Sequence, residues 1–203
     1  MERKAHWENV FSTKQETEVS WYQTNPKTSL DFIQKLNIAK DAKIIDIGGG
    51  DSYLIDGLLA LGFTNLYILD ISAKAIERLK NRLGEKAVNV TFIVSDVLDF
   101  KPDTTFDFWH DRASFHFLTS ANQIAKYAEL VCSAVAKDGK VVIGTFSENG
   151  PKKCSGLDIT QYNEQKLTAV FETNFDLIAS FTEDHKTPFD TIQNFIFCSF
   201  KKK

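Results

Sequence analysis

Apolar residues follow two spacings along the chain: short continuous runs, and stripes with a period of three to four residues. The run Lys43-Ile44-Ile45-Asp46-Ile47 leads directly into Gly48-Gly49-Gly50-Asp51-Ser52. That pattern predicts a strand buried on both faces, then a sharp turn into a helix. Asp51 or Ser52 stands where it can cap this helix, Leu54, Ile55, Leu58, Leu59 and Leu61 supply its apolar side, and Gly62 stops it. The unit then repeats in kind. Residues 65 to 70 predict a second strand, Ser72 caps a helix carrying Ile76, Leu79 and Leu83 that Gly84 closes, and residues 88 to 94 predict a third strand before Ser95-Asp96-Val97. Strand, helix, strand, helix, strand implies parallel strands joined by right-handed crossovers.

Downstream, residues 106 to 110 predict a fourth strand. Ser120 and Gln123 form a capping box for a helix through Ile124, Tyr127, Ala128, Val131 and Val135 that ends at Asp138-Gly139. Residues 140 to 146 give a fifth strand, 147 to 158 a loop, and 162 to 171 a helix. Two final strands, 175 to 182 and 194 to 200, flank the turn-prone stretch from His185 to Asp190 and are expected to be antiparallel. Before the first strand, residues 4 to 11 predict a short helix, Asn25-Pro26 marks a turn, and Leu30, Ile33, Leu36 and Ile38 form a helical stripe. Trp21 and Tyr22 lie in polar surroundings and must pack on something, either a ligand or the body of the fold. A single α/β domain over residues 1–203 is expected. It has seven mostly parallel strands, the last antiparallel, helices on both faces, and residues 1–40 as a cap on a 43–200 sheet core.

Composition narrows the partners. With 203 residues, 43% hydrophobic and 25% charged, the chain can fill one core. A net charge of -3 and one dense basic run, Lys201-Lys202-Lys203, give little attraction to phosphate backbones, so no nucleic-acid partner is expected. No apolar run approaches the ~20 residues that span a bilayer, and the first residues lack a signal-peptide core. A cytoplasmic protein with no membrane partner is the expectation. Cys132, Cys154 and Cys198 lack metal or disulfide spacing, and no two histidines have the i, i+4 spacing of a helical zinc pair, so no metal is expected.

The unusual polar groups fall at the carboxyl ends of the predicted strands, where open parallel sheets bind ligands: Asp46 with Gly48 to Gly50, Asp70, Asp96, His110 with Asp111, and Ser147. Tyr53 is too large for the third small residue of a dinucleotide fingerprint, and Asp46 would repel a pyrophosphate but suits a cation. Asp70 can accept both hydroxyls of a ribose, and Asp96 with Val97 and Leu98 can meet an exocyclic amine and sandwich a purine. Taken singly, Asp70 and Asp96 also read as caps or turn formers. A ribose, an adenine and a positive centre together describe S-adenosylmethionine.

On these residues, the stretch from 43 to 146 resembles the core of class I S-adenosylmethionine-dependent methyltransferases. Asp46-Ile47-Gly48-Gly49-Gly50 matches the cofactor loop, Asp70 the ribose-binding acid and Asp96-Val97 the adenine contact. The whole chain is similar to a family of small bacterial methyltransferases in carrying Glu18-Val19-Ser20-Trp21-Tyr22-Gln23, Trp109-His110-Asp111-Arg112-Ala113 with Phe115-His116-Phe117, and His185-Lys186-Thr187-Pro188-Phe189. His6-Trp7-Glu8 is more distantly similar to protein-lysine methyltransferases acting on elongation factor.

The resemblance implies a Rossmann-like fold and S-adenosylmethionine held by Asp46, Gly48, Gly49, Gly50, Asp70, Ile71, Asp96, Val97 and His110. Methyl transfer would be an in-line displacement needing no metal. The acceptor would meet the end of the fourth strand, with His110 and Asp111 as catalytic residues and Trp21, Tyr22, Arg112 and His116 as substrate contacts. His110 or His116 could deprotonate an acceptor, Asp111 could orient it, and Arg112 could hold an anionic group. The bland alternatives are an Asp111-Arg112 ion pair and a core His116. Trp109 to Arg112 occupies the place of the Asn/Asp-Pro-Pro-aromatic signature, which argues against adenine or glutamine acceptors. A monomer acting on a small molecule is expected. A protein lysine is the second acceptor, a non-catalytic S-adenosylmethionine-binding protein is an alternative of another class, and Tyr53 and Asp46 speak against a nicotinamide oxidoreductase.

Overall fold

The computed structural model describes residues 2–203 and contains nine strands and six α-helices among them. In chain order these are α1 (Glu2–Thr13), α2 (Lys27–Lys35), β1 (Ile44–Ile47), α3 (Leu54–Ala60), β2 (Leu66–Asp70), α4 (Ala73–Leu83), β3 (Val90–Val94) and β4 (Phe106–Arg112). Then come α5 (Ala121–Ala134), β5 (Val135–Phe146), the two-residue strands β6 (Lys153–Cys154) and β7 (Leu157–Asp158), α6 (Glu164–Phe171), β8 (Phe175–Lys186) and β9 (Ile192–Lys202).

Seven strands form one sheet in the order β3-β2-β1-β4-β5-β9-β8. β3, β2, β1, β4 and β5 pair in parallel, and β9 runs antiparallel between β5 and β8. The strand order reverses between β1 and β4, which opens a crevice beyond their carboxyl ends. One face of the sheet buries Ile45, Ile47 and Trp109 against α5 and α6, and the other buries Ile44, Ile68 and Phe108 against α2, α3 and α4. Side chains alternate along a strand, so Asp46 shares the second face with Ile44. Among the described residues no helix is long and apolar enough to cross a membrane.

Several boundaries differ from the expected ones. The Ser120–Gln123 capping box is present, but Val135 leaves the helix and opens β5, pairing with Phe106 ahead of a bulge, while Asp138 adopts a left-handed φ of 62° inside the strand. α2 ends at Lys35 because Asn37 turns left-handed at φ 52°. The loop after β5 holds the β6–β7 hairpin. Neither Asp51 nor Ser52 is the N-cap of α3, a place taken by Tyr53 with no side-chain bond. Those residues are engaged from α4 instead. Arg78 Nη2 lies 2.9 Å from Asp51 Oδ2, and Arg82 donates to the Asp51 and Ser52 carbonyls and, from Nε and Nη2, to Asp56.

The N-terminal helix is fastened by reciprocal capping. Ser72 caps α4 by accepting from Ala75 N, and Glu8 on α1 adds a second cap by accepting from Ser72 Oγ, Ala73 N and Lys74 N at 2.9 to 3.1 Å. Burial works against the Glu8 carboxylate, but those donors outweigh it and hold its pKa below the usual value. In return, Arg78 on α4 donates to Phe11 O in the last turn of α1 and to Lys14 O just beyond it. Each helix therefore supplies the other with partners its own backbone lacks. Replacing Glu8 with Ala should cost about 1 kcal/mol of unfolding free energy, as loss of a helix cap does. Urea denaturation of E8A beside the native protein measures this, and unchanged stability would show that the contact holds nothing.

Candidate active site

The glycine loop lies at the reversal point because its backbone has no room for side chains there. Gly48 has φ +63°, and a Cβ on it would meet Ser114 Cβ at 2.6 Å. A Cβ on Gly49 would collide with the Asp46 carboxylate and with Ile68 Cδ1. Gly50, at φ +55°, is bounded by Phe11 of α1 and by Asp70 Oδ2. Two strand ends, a turn and a helix thus converge on bare backbone, leaving its upper side to a ligand.

Two cavities adjoin this loop. The first runs from Trp7 and Phe11 past Gly50, Asp70, Ile71, Asp96 and Val97. The second runs past Tyr22, Asp46, Ser52, Tyr53 and His110. Trp21, Gly48, Gly49 and Arg112 line both, so the two are halves of one cleft with its waist at these four residues.

In the first half, Asp70 Oδ1 accepts from Ser72 N at 2.8 Å. Burial pushes this carboxyl up to about 7, against the Ser72 and Gly50 N–H groups that favour its charged form. Asp96 Oδ1 accepts from Leu98 N at 3.0 Å, and its Oδ2 faces Arg3 Nε at 3.9 Å across the mouth. Trp7, Trp21 and Phe117 meet edge to face, with centroids 5.7 and 5.1 Å from Trp7, and form an aromatic wall. The geometry suits S-adenosylmethionine. A cradle of glycines that any Cβ would fill, the buried Asp70 carboxylate and an apolar slot beside Asp96 and Val97 stand in the first half, and Asp46 stands in the second.

In the second half, Asp46 and His110 are register partners on β1 and β4. His110 Nδ1–H donates to Asp46 Oδ1 at 2.7 Å, and Nε2 lies 2.9 Å from the Ser29 hydroxyl of α2. Both ring nitrogens are committed, which leaves this imidazole no free site for an acceptor's proton. Asp111 and His116 do not join the cleft. Alternation along β4 sends His110 and Arg112 to one face of the sheet and Asp111 to the other. There Asp111 accepts from Ser114 N, Phe115 N and the Tyr127 hydroxyl at 3.1, 3.0 and 2.7 Å and holds the turn at Ala113, whose φ is 65°. Burial nevertheless raises its pKa to about 6. His116 is buried against Phe146 at 4.6 Å, and burial helped by Arg112 drives its pKa down to about 3. Expected as catalytic and acceptor-facing groups respectively, both residues are packed inside the fold. Arg112 is not paired with Asp111 either, because the two point to opposite faces.

The structure also brings in residues that the sequence reading passed over: Arg3, Phe11, Ser29, Ser114, Phe117 and Cys154. A signal existed for the first two, since Arg3, Trp7 and Phe11 recur every four residues and so form one stripe of α1.

A family model described as a methyltransferase domain matches residues 38–187. The chain is 29% identical over 112 residues to an eEF1A lysine and N-terminal methyltransferase of Mus musculus, across 54% of this chain and 16% of that protein. It is 24% identical over 169 residues to malonyl-[acyl-carrier protein] O-methyltransferase 1 of Ilyobacter polytropus, across 77% of this chain and 61% of that protein. The chain thus spans less than two thirds of either relative. Among solved structures, a SAM-dependent methyltransferase from Anabaena variabilis superposes with a TM-score of 0.76 at 14% identity, covering 100% of this chain and 96% of that one. The N-methyltransferase NodS of Bradyrhizobium japonicum, solved with S-adenosyl-L-homocysteine, superposes with a TM-score of 0.71 at 13% identity, covering 96% and 97%. At such identities the structural likeness establishes the fold.

Asp70 yields a pH dependence. Its carboxylate can accept two hydroxyls, and protonation removes one acceptor, so cofactor affinity should fall as pH drops through about 7 and level off above it. Below that value the loss should approach about tenfold per pH unit. Calorimetry with S-adenosylhomocysteine on either side of neutrality measures this. Asp70→Asn should bind weakly with a flat profile, and a flat profile in the native protein would reject the ribose assignment.

Proposed function

The chain belongs to the methyltransferase-domain family, and from that membership and the shape of the cleft we propose that it transfers a methyl group from S-adenosylmethionine to a small-molecule acceptor. When bound, the cofactor supplies a methyl activated by a sulfonium. The chain's own residues bind, align and exclude water. In this reading Gly48, Gly49 and Gly50 let the ligand approach the backbone, Asp70 takes the ribose with Ile71 beside it, and Asp96 with Val97 takes the adenine. Asp46 faces the methionyl ammonium, and His110 acts on it as a positioning residue through the bond between them. Trp21, Tyr22 and Arg112 face the acceptor.

The observation that carries the small-molecule reading is the roof. Residues 19 to 23 cross the waist of the cleft and are pinned at three points. Arg112 Nη1 donates to Trp21 O at 3.1 Å, His185 Nε2–H donates to Ser20 O at 2.7 Å, and Gln23 Nε2 donates to His185 Nδ1 at 3.4 Å. Burial holds His185 below its ordinary pKa, which keeps the ring in the neutral form these two bonds require. α1 and this strap wall the waist of the cleft, which supports a small acceptor over a polypeptide.

Incubation with methyl-labelled S-adenosylmethionine and a cell extract tests the reading. Label should accumulate in the small-molecule fraction. Accumulation on protein would transfer the assignment to the lysine-methylating relatives, and binding of the cofactor without any transfer would make the protein a sensor.

A further inference from the structure

The cleft contains a cation most of whose donors the fold leaves free. Arg112 carries five N–H donors, yet among the described residues its side chain makes one hydrogen bond, to the Trp21 carbonyl. Asp46 and Glu183 act on it through space, but Asp46 is bonded to His110, and Glu183 accepts from Thr28 Oγ1 at 2.6 Å. The guanidinium lies over the Phe195 ring, 4.9 Å from its centroid, and part of its surface opens into both halves of the cleft. Burial lowers its pKa to about 10, so it stays charged at neutral pH while poorly solvated. A partly desolvated cation with idle donors, at the waist of a ligand cleft, is an anion site awaiting its anion.

Resting on the methyl-transfer reading above, we propose that Arg112 binds a carboxylate of the acceptor and that this carboxylate is the methylated group, giving a methyl ester. Three features select this chemistry. A guanidinium matches a carboxylate with two parallel hydrogen bonds, and one cation balances one such charge, whereas a phosphate dianion would call for more. A carboxylate is already ionised at neutral pH and needs no base. The groups lining the second half that could serve as bases are engaged: Asp46 and His110 with each other and His110 with Ser29, Asp51 with Arg78, and Glu16 with the Tyr53 hydroxyl. Finally, an ammonium acceptor would meet a like charge in Arg112. The step balances. A carboxylate oxygen forms a bond to the methyl carbon, the carbon–sulfur bond breaks with its electron pair remaining on sulfur, one negative and one positive charge disappear, and no proton moves.

Esters and methylated amines separate by base lability. After incubation with methyl-labelled S-adenosylmethionine and the small-molecule fraction of a bacterial extract, mild alkali should release the transferred label as volatile methanol. Arg112→Gln should lower the rate of forming this product by about tenfold or more, and Arg112→Lys, which keeps the charge and a donor for the Trp21 carbonyl, by less, with its Kd for S-adenosylhomocysteine within about twofold of native. Base-stable labelled product would overturn the carboxylate inference and leave methyl transfer standing. Absence of labelled product would overturn both. Loss of S-adenosylhomocysteine affinity in step with rate in Arg112→Lys would assign Arg112 to the cofactor's own carboxylate and overturn the inference.

Discussion

A carboxylate set into the middle of a parallel sheet is the constraint to which the rest of the structure answers. Asp46 is 2% exposed, and burying it unpaired would cost several kcal/mol. Its neighbour across the strand pair is His110, which meets it only because β1 lies beside β4 in that register. The imidazole then needs a partner of its own, and Ser29 supplies one from α2. One buried charge thereby links the order of the central strands to the seating of a helix that precedes them in the chain. It also brings the segment before α2 to the cleft, where Trp21 and Tyr22 line its walls.

The glycine loop answers to a second set of ties, all from α4. Arg78 and Arg82 are one turn apart, and together they take up Asp51, Asp56 and two loop carbonyls. Arg78 also closes the end of α1, so the helix that walls the cleft and the loop that floors it are gripped by one side chain. Burial raises the Asp51 carboxyl, and Arg78 and Arg82 act against that rise. A site built on backbone without side chains gains its rigidity from the shell around it, which here consists of arginines on the adjacent helix.

Much of this was legible in the chain. The glycines after β1 and the acids ending β1 and β2 declared a ligand edge, because a parallel sheet offers few other uses for such residues at that position. The antiparallel last strand followed from a turn-rich stretch between two apolar runs. Period-two alternation was also legible: on one strand, His110 and Arg112 must share a face that Asp111 does not, so His110 and Asp111 could not both face one acceptor. What could not be read was the set of contacts between residues far apart in sequence. Nothing near Glu8 marks it as a cap for a helix beginning at Ala73, and nothing near Val135 shows that pairing with Phe106 will draw it out of a helix and into a strand. Propensity settles such positions only where tertiary contacts are indifferent.

The polar groups at and behind the cleft divide by whether the fold satisfies them. Asp111 is saturated by a turn and a tyrosine, and His110 is saturated at both nitrogens. Groups satisfied in this way hold geometry. Asp70 and Arg112 are left short: one is a carboxylate that faces the cavity with lone pairs beyond the two backbone N–H groups it accepts, the other a cation with idle donors. Each of these costs stability in the free protein, and natural folds tolerate such costs mainly where a ligand relieves them. The pair sits along the cleft, a hydrogen-bond acceptor in its first half and a cation with free donors at its waist. A ligand set that satisfied both would carry hydroxyl donors at one end and a negative charge at the other, so the fold's unfinished hydrogen bonds say more of what it can bind than its finished ones do.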